Sequence, residues 1–333
     1  MLNVIDLSVV FPARAEKLVD LAEDLSLSRN QIRMFDRFFG FETFHCDHAE
    51  PLDWLLARAS EEVMARNHHH RPALSHAVHC HTLLSTHVFG QAPSLDQTPA
   101  SATGPACLQA FAAAGVEVFG ATMNHCATGL SMLGLLDHLL DPGALGLILI
   151  GEKAFHPAIR VIENTTIMGE AAAAVLVGHV PGPFEVVETF VRHAPQFWKN
   201  TGLRGENYLD GFDSAYLQLA SSTLSDALAQ FGRRPEDLRW IMPHNVNAPS
   251  WYQVAEDAGF QKAQLRLSTI GCYGHCFGVD PFLNLWRGAQ DGVLVPGDEV
   301  LLFSIGLGAT ASCALLRVTD VPLPQLFQTS GVS

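Results

Sequence analysis

The sequence predicts an α/β fold, with helices packed on both faces of a buried sheet. Apolar runs of strand length alternate with helix-length segments along most of the chain. Of the 333 residues, 48% are hydrophobic and only 16% are charged, so the chain can bury a large core. The 27 glycines suit helices that pack closely against a sheet. Together these features indicate a compact α/β protein.

Most of the elements can be located by their apolar pattern and their flanking residues. The segments with the length and apolar content of buried strands are 2–10, 76–81, 116–123, 145–151, 171–177, 238–242, 300–305 and 311–318. The segments with helical patterning are 52–66, 105–114, 127–140, 214–231, 249–258 and 281–290. Gly232 and Gly259 follow two of these helices, where a glycine C-cap is common.

A faint internal repeat predicts that the chain consists of two similar halves. Arg71-Pro72 leads into a strand that ends at His81, and Arg234-Pro235 leads into a strand that ends at His244. The glycines and Pro181 between positions 178 and 182 break the pattern between these copies. We therefore predict an N-terminal half at residues 1–178 and a C-terminal half at residues 179–333.

The charge balance and the cysteines limit the class of protein. Asp and Glu number 34 against 20 Lys and Arg, which gives a formal net charge of −14. Nucleic acids and anionic membrane surfaces are bound by clustered cations, so we expect neither as a partner. Seven cysteines with irregular spacing do not form a disulfide framework, and no charged and apolar leader opens the chain. The expected location is the cytoplasm.

Cys126 is the candidate nucleophile. It lies between the strand-like segment 116–122 and a helix that is apolar on most of its faces. Such a helix is buried, and its N-terminal N–H groups favour a thiolate and can hold an oxyanion. The alternative is that Cys126 is only a small buried side chain, as most free cysteines are.

Two histidines are candidate partners of this cysteine. His244 ends a predicted strand, and active sites of open α/β folds lie beyond the carboxyl ends of strands. His275 lies in a glycine-rich segment, Gly271-Cys272-Tyr273-Gly274-His275-Cys276-Phe277-Gly278. An imidazole in either place could act as a base or as a hydrogen-bond donor. Cys272, His275 and Cys276 could instead indicate zinc, but their spacing is poor for a tetrahedral site, so no metal is expected.

A glycine-rich loop near the end of the chain could bring backbone amides to a ligand. Gly306-Leu307-Gly308 follows the predicted strand 300–305. No Gly-Lys-Ser/Thr follows, so this is not a phosphate loop. A simple tight turn between two core strands is the alternative.

Taken in order, these segments resemble the β-ketoacyl-acyl-carrier-protein synthase III family of the thiolase-like superfamily. The similarity is clear from about residue 105 onward, and no single motif carries it. The matching motifs are Asn124-His125-Cys126-Ala127-Thr128-Gly129, Met168-Gly169-Glu170-Ala171, His244-Asn245-Val246-Asn247, Tyr273-Gly274-His275, and Pro296-Gly297-Asp298 with the strand and glycine loop that follow.

The resemblance implies a thiolase-like duplicated five-layer α-β-α-β-α fold and a homodimer. It implies a ping-pong acyl transfer in which Cys126 takes an acyl group from a CoA or acyl-carrier-protein thioester and passes it to a second substrate. His244 would be base and oxyanion partner, His275 the second donor, and the N–H groups of Cys126 and Leu307 the oxyanion hole. The residues Asn247, Gly306 and Gly308 would bind substrate, and no cofactor is implied.

Three departures from the family pattern affect the expected reaction. His275 stands where the family has Asn. A histidine here permits decarboxylative condensation with a malonyl-type thioester, and it also permits acyl transfer to an alcohol or amine. Condensation is the slightly favoured prediction. After His244 no Lys or Arg occurs until Lys262, although the family docks acidic carrier proteins on basic residues there. Leu307 replaces the middle glycine of the family's loop. We therefore expect an enzyme of specialised metabolism.

Two further interpretations remain open at this point. The chain could be a non-catalytic partner subunit of a heteromeric synthase, although such subunits usually lose the cysteine or a histidine. The phenylalanines between positions 35 and 44 could line an acyl tunnel, but packing in a core or an interface is the favoured interpretation. They are Phe35, Phe38, Phe39, Phe41 and Phe44.

Overall fold

The computed structural model describes residues 1–47, 49–82, 106–122, 124–154, 160–162, 164–201 and 211–322. Its strands are β1 (Asn3–Val10), β2 (Ala15–Lys17), β3 (Thr43–His45), β4 (Leu74–Cys80), β5 (Glu117–Ala121), β6 (Leu145–Glu152), β7 (Val161–Ile162), β8 (Thr166–Ile167), β9 (Ala171–Gly178), β10 (Phe184–His193), β11 (Trp240–Pro243), β12 (Glu299–Gly306) and β13 (Thr310–Val318). Its α-helices are α1 (Arg29–Arg33), α2 (Leu52–Arg66), α3 (Ala106–Ala113), α4 (Thr128–Leu139), α5 (Phe212–Phe231), α6 (Ala248–Asp257), α7 (Ile270–Tyr273) and α8 (Asp280–Gln290).

The main sheet contains two groups of strands with the same pattern of directions. Its order is β11-β12-β13-β10-β1-β9-β6-β4-β5. β1 pairs with β9 along most of its length but with β10 only at Asn3 and Val4. In each group two antiparallel pairings are followed by a parallel one, β1-β9-β6-β4 and β10-β13-β12-β11. The division into halves at residue 178 remains a proposal, which this repeated order supports.

Three apolar clusters fill the spaces between five layers. The first contains α2 and α3 against one face of the β1 group, and the second contains α5 and α6 against the β10 group. The third, between the two groups, contains the buried faces of α4 and α8. Burial of these side chains supplies most of the drive to fold. The predicted five-layer α-β-α-β-α arrangement is therefore confirmed.

Most of the predicted elements are present within a few residues of their expected ends, but β10 was not predicted. Glu185, Glu188 and Thr189 interrupt its apolar run, and a register shift between Val186 and Glu188 disturbs the alternation that identifies a strand. The predicted ends at residues 105 and 123 lie outside the described residues. A short 3₁₀ helix, His68–Ala73, connects α2 to β4.

The phenylalanine-rich stretch is mainly a packing element. Phe35, Phe39, Phe41 and Phe44 are buried in one cluster, which confirms core packing for these four. Phe38 is 65% exposed. Among the helices in the described residues, none is both long and apolar enough to cross a membrane.

Candidate active site

Cys126 lies in a short turn that connects β5 to the buried helix α4. The turn His125–Ala127 is a 3₁₀ segment, and α4 begins at Thr128. His125 has a φ of 47°, a left-handed conformation that is uncommon for a residue with a side chain. Leu130 and Leu133 bury α4 in the core between the sheet groups. Cys126 is buried at the N-terminal end of this helix, where N–H groups and the helix dipole favour negative charge.

His275 contacts the sulfur of Cys126 and is held from behind by a carboxylate. Cys126 Sγ lies 3.6 Å from His275 Nε2. On the other side of the ring, His275 Nδ1 is hydrogen-bonded to Asp280 Oδ2. Asp280 is fully buried, and its oxygens also accept hydrogen bonds of 2.7 Å from the N–H groups of Asn245 and Cys276. The cysteine, the imidazole and the carboxylate therefore form a continuous series of contacts.

The two groups that contact the ring of His275, Cys126 and Asp280, determine its charge. Burial by itself lowers the pKa of an imidazole, because it disfavours the cationic form. The Asp280 carboxylate and the neighbouring sulfur of Cys126 outweigh burial and raise the pKa of His275 to about 10. His275 therefore carries a positive charge at neutral pH.

His244 is the neutral imidazole of the site. Its ring centroid lies 5.5 Å from that of His275. Burial, together with the charge of His275, holds the pKa of His244 well below its ordinary value. The N–H of Ile305 donates to His244 Nδ1 at 3.1 Å, so a neutral His244 carries its proton on Nε2. Nε2 lies 2.9 Å from Tyr216 Oη, and this imidazole is therefore a hydrogen-bond donor.

The glycine-rich loop after β12 packs against the segment that carries Cys126. Ser304 Oγ donates to the carbonyl oxygen of Cys126 at 2.8 Å. A Cβ on Gly306 would lie 1.9 Å from the carbonyl oxygen of Asn124, so only glycine fits this approach. Gly308 has a φ of 127°, and the side chain of Leu307 packs against the α5 and α6 core. The oxyanion and substrate-binding roles of this loop remain predictions.

The side chain of Asn247 caps a helix and also binds a neighbouring backbone carbonyl. Its Oδ1 accepts from the N–H of Ser250 and caps α6, while its Nδ2 donates to the carbonyl oxygen of Thr165. Substrate binding by Asn247 remains a prediction. The neighbouring Asn245 instead supports the His275 loop, because its Nδ2 donates to the carbonyl oxygen of Gly274 at 3.1 Å.

An apolar wall around Cys126 is fixed by a buried ionic cluster. Cys126 packs with the apolar side chains of Ala154, Met168 and Phe277. Arg160 donates to the carbonyl oxygens of Met168 and Ala154, at 2.7 and 3.1 Å. The ionic cluster consists of Lys153, Arg160 and Glu170, all buried and paired. Because every charge in it has a partner, it can hold the wall rigidly.

The cysteines near His275 do not share the environment of Cys126. The thiol of Cys276 donates to the carbonyl oxygen of Tyr273 at 3.4 Å, and burial raises the pKa of Cys276 well above its ordinary value. Cys272 is exposed. His275 uses both ring nitrogens for Cys126 and Asp280. With these contacts, Cys272, His275 and Cys276 do not form a common site that could bind zinc.

Comparison with known proteins connects this geometry to a family. Residues 228–318 match the family described as 3-oxoacyl-[acyl-carrier-protein (ACP)] synthase III C terminal. A β-ketoacyl-[acyl-carrier-protein] synthase III from Rhodospirillum rubrum is 27% identical over 213 residues, which are 58% of this chain and 65% of the relative. A hydroxymethylglutaryl-CoA synthase from Pyrobaculum arsenaticum is 22% identical over 54% of each chain. The matched region is thus less than two thirds of either relative's length.

Solved structures extend the match to nearly the whole fold. The acyltransferase ChlB3 has a TM-score of 0.78 at 15% identity, over 98% of this chain and 99% of its own. A 3-oxoacyl-[acyl-carrier-protein] synthase III from Aquifex aeolicus has a TM-score of 0.75 at 18% identity, over 95% and 100%. The chain resembles synthase III in sequence and has the thiolase fold of these solved structures. The family resemblance and the fold predicted from the sequence are thereby confirmed.

Two polar residues of this synthase III-like site were missed by the sequence analysis. Asp280 had a weak local signal, since Asp280-Pro281 begins a helix five residues after His275. Tyr216 had none, because it lies in an ordinary α5 segment far from the motifs. By contrast, Cys126, His244 and His275 are brought together as the sequence analysis required.

Proposed function

We propose that this chain is an acyltransferase that loads an acyl group from a CoA or carrier-protein thioester onto Cys126 and passes it to a second substrate. The observation that carries the proposal is the 3.6 Å contact between Cys126 Sγ and a His275 ring held by Asp280. The names of its relatives, β-ketoacyl-[acyl-carrier-protein] synthase III and the acyltransferase ChlB3, support acyl transfer.

In the loading step, Cys126 attacks the thioester carbonyl as a thiolate beside the cationic His275. The N–H groups of Cys126 and Leu307 hold the oxyanion of the tetrahedral intermediate, which is the kind of interaction that gives the largest single rate contribution. When the intermediate collapses, the leaving thiolate takes the proton from His275 Nε2. The products are acyl-Cys126, a free thiol and a neutral His275 whose remaining proton lies on Nδ1, against Asp280.

The second step depends on which nitrogen of His275 keeps its proton. Because Asp280 holds Nδ1–H, a neutral His275 presents a lone pair at Nε2 toward acyl-Cys126. An Asn in this place could donate or accept a hydrogen bond but is not a base, whereas this imidazole can remove a proton from an incoming nucleophile. The geometry therefore favours transfer to an oxygen or nitrogen acceptor. His275, with both nitrogens correctly placed, fits the role of base better than His244.

Decarboxylative condensation, favoured from the sequence, is the second candidate. One observation supports it: His244 is fixed as a donor at Nε2 and could stabilise the enolate oxygen of a malonyl-type thioester. Condensation would form a carbon–carbon bond and release carbon dioxide, while transfer to oxygen or nitrogen would not.

A two-stage assay tests the function and separates the two candidates. The wild-type protein is first incubated with acetyl-, hexanoyl- and benzoyl-CoA, and intact-protein mass spectrometry is expected to show one acyl mass. Loaded protein is then offered [1-¹⁴C]malonyl-CoA, labelled on its carboxyl carbon, or a small alcohol or amine. We expect ester or amide without release of labelled carbon dioxide. Labelled carbon dioxide would establish the condensation candidate, and folded protein that gains no mass from any donor would refute both.

We also propose that the carrier-protein contact differs from that of the housekeeping synthases and that the role is in specialised metabolism. The helix after His244, α6, contains no Lys or Arg and ends with Glu256 and Asp257. An acidic carrier protein would be repelled by such a surface. A free CoA thioester or a less acidic carrier is therefore the preferred donor, and the relative loading rates from acetyl-CoA and acetylated carrier protein measure this preference.

We propose a homodimer that forms through β5. This strand is at one end of the main sheet, is partly exposed, and pairs only with β4 within the described residues. An open edge with Val118 and Phe119 is suited to pairing with a second copy. Sedimentation analysis is expected to give about twice the chain mass of 36.1 kDa, and Val118→Pro, which removes a backbone donor from β5, to shift the protein toward monomer. A wild-type monomer would contradict this proposal.

A further inference from the structure

Tyr216 adds a polar group to the site that the proposed mechanism has not used. It lies in the second turn of α5, and its hydroxyl oxygen is 2.9 Å from His244 Nε2. His244 is 2% exposed and His275 is 5% exposed, whereas Tyr216 is partly exposed. Tyr216 is therefore less buried than the imidazole to which it is hydrogen-bonded.

The direction of the hydrogen bond between Tyr216 and His244 can be deduced. Ile305 N–H occupies the lone pair on His244 Nδ1, and the low pKa of His244 keeps this ring neutral. The only proton of the ring is then on Nε2, so His244 donates and the oxygen of Tyr216 accepts. The hydroxyl hydrogen of Tyr216 must point elsewhere, and no described residue accepts it.

The hydroxyl of Tyr216 also responds to the charge of Cys126. Burial of the hydroxyl, followed by the negative charge of a Cys126 thiolate, raises the pKa of Tyr216 above its ordinary value. Tyr216 thus remains protonated throughout the working pH range and keeps a hydrogen to donate. The site offers an incoming group a donor at Tyr216 and an acceptor at His275 Nε2.

We propose that this pair of groups selects a hydroxyl, rather than an amine, as the acyl acceptor. The inference rests on the proposed acyl transfer. A hydroxyl oxygen has two lone pairs and one hydrogen: one pair accepts from Tyr216, the other attacks the acyl carbon, and the hydrogen goes to His275 Nε2. A neutral primary amine has a single lone pair, so it cannot accept from Tyr216 and attack at the same time.

The transfer balances in atoms and charge. The acceptor oxygen forms a bond to the acyl carbon, the bond from that carbon to Cys126 Sγ breaks, and the sulfur leaves as a thiolate. The acceptor's proton remains on His275 Nε2, which restores the thiolate and imidazolium with which the cycle began. Tyr216 donates a hydrogen bond throughout and is not consumed.

The test compares two acceptors of similar size on protein already loaded with acetyl. Wild-type and Tyr216→Phe proteins are acetylated from acetyl-CoA, the loaded fraction is counted by intact mass, and ethanol or ethylamine is added. The rate with ethylamine is divided by the concentration of its unprotonated form, because only that form can attack. Loss of one hydrogen bond costs about 1.4 kcal/mol, so we expect the ethanol-to-ethylamine rate ratio to fall about tenfold in Tyr216→Phe. Tyr252→Phe, in the exposed part of α6, is the matched control, and its ratio should equal the wild-type ratio.

Each outcome bears on a separate claim. If the wild-type protein never gains acetyl mass, the acyltransferase function fails. If it loads but Tyr216→Phe has the wild-type ratio, or slows both acceptors equally, Tyr216 does not select the acceptor. Transfer of the acetyl group only to a malonyl thioester would also overturn the inference. Should Tyr216→Phe be unfolded, Tyr216→Met, which also lacks the donor, is measured; a folded variant that cannot load contradicts the assignment to the second step.

Discussion

Replacing Cys126 with alanine is expected to abolish acyl loading completely. Among the described residues, Cys126 is the only cysteine whose sulfur contacts a cationic imidazole, at a distance of 3.6 Å from His275 Nε2. Without a nucleophile the acyl-enzyme cannot form, since the thiolate is the attacking group in covalent acyl transfer. Intact-protein mass spectrometry of Cys126→Ala with acetyl-CoA should show no mass gain, and turnover should fall to the uncatalysed rate.

The exposed Cys272 provides the control for this experiment. Cys272→Ala removes an accessible thiol outside the proposed chain of groups and should load like the wild-type protein. Peptide mapping of the loaded wild-type protein should place the acyl group on the peptide that contains Cys126. An acyl group that remains on Cys126→Ala would show that another residue is the nucleophile, and the proposed mechanism would have to be abandoned.

Replacing Asp280 with asparagine is expected to have the second largest effect. Asparagine has nearly the same size but no charge, so His275 would lose the strongest influence that raises its pKa. Burial, opposed only by the sulfur of Cys126, would then lower that pKa. Loading should slow by about 10² to 10⁴-fold, the range typical for loss of a positioned acid–base group. The sign of the pH dependence follows: the raised pKa keeps the wild-type imidazole protonated until about pH 10, whereas the variant loses this proton at much lower pH.

The measurement uses a probe that needs no knowledge of the substrate. The rate of Cys126 alkylation by iodoacetamide is followed by mass spectrometry from acid pH to beyond pH 10. The rate of Asp280→Asn should be much lower than the wild-type rate at neutral pH, because its His275 is no longer held in the cationic form. Asp6→Asn is the control, because Asp6 is also buried and hydrogen-bonded but lies beside Arg66 under α2. Equal alkylation rates in Asp280→Asn and wild type would refute the role of Asp280.

Loss of the Asp280 charge should also affect stability, and the assay must allow for this. The carboxylate accepts from the N–H groups of Asn245 and Cys276 as well as from His275. An amide group cannot serve all three donors, and a buried donor without a partner costs about 1 to 3 kcal/mol. Thermal unfolding of both Asp variants should therefore be measured before their rates are compared.

The sequence determined the features that depend on local pattern. The start of α4 after Cys126 could be predicted because an apolar run of helical length follows a strand, and both signals are local. The order of the motifs gave the family and the five layers. β10 was missed because its bulge and its charged residues remove the alternation on which strand prediction relies.

Only the tertiary structure decided how the site is connected and which group has which charge. A cysteine, two histidines, Asp280 and Tyr216 come from segments as much as 154 positions apart in the chain, and no local pattern reports the distance between them. His275 is cationic because a carboxylate from the start of α8 touches its Nδ1, and His244 is a donor because the N–H of Ile305 occupies its Nδ1. Hydrogen-bond direction and protonation follow from the positions of partner atoms, and those positions exist only once the sheets and helices have packed together.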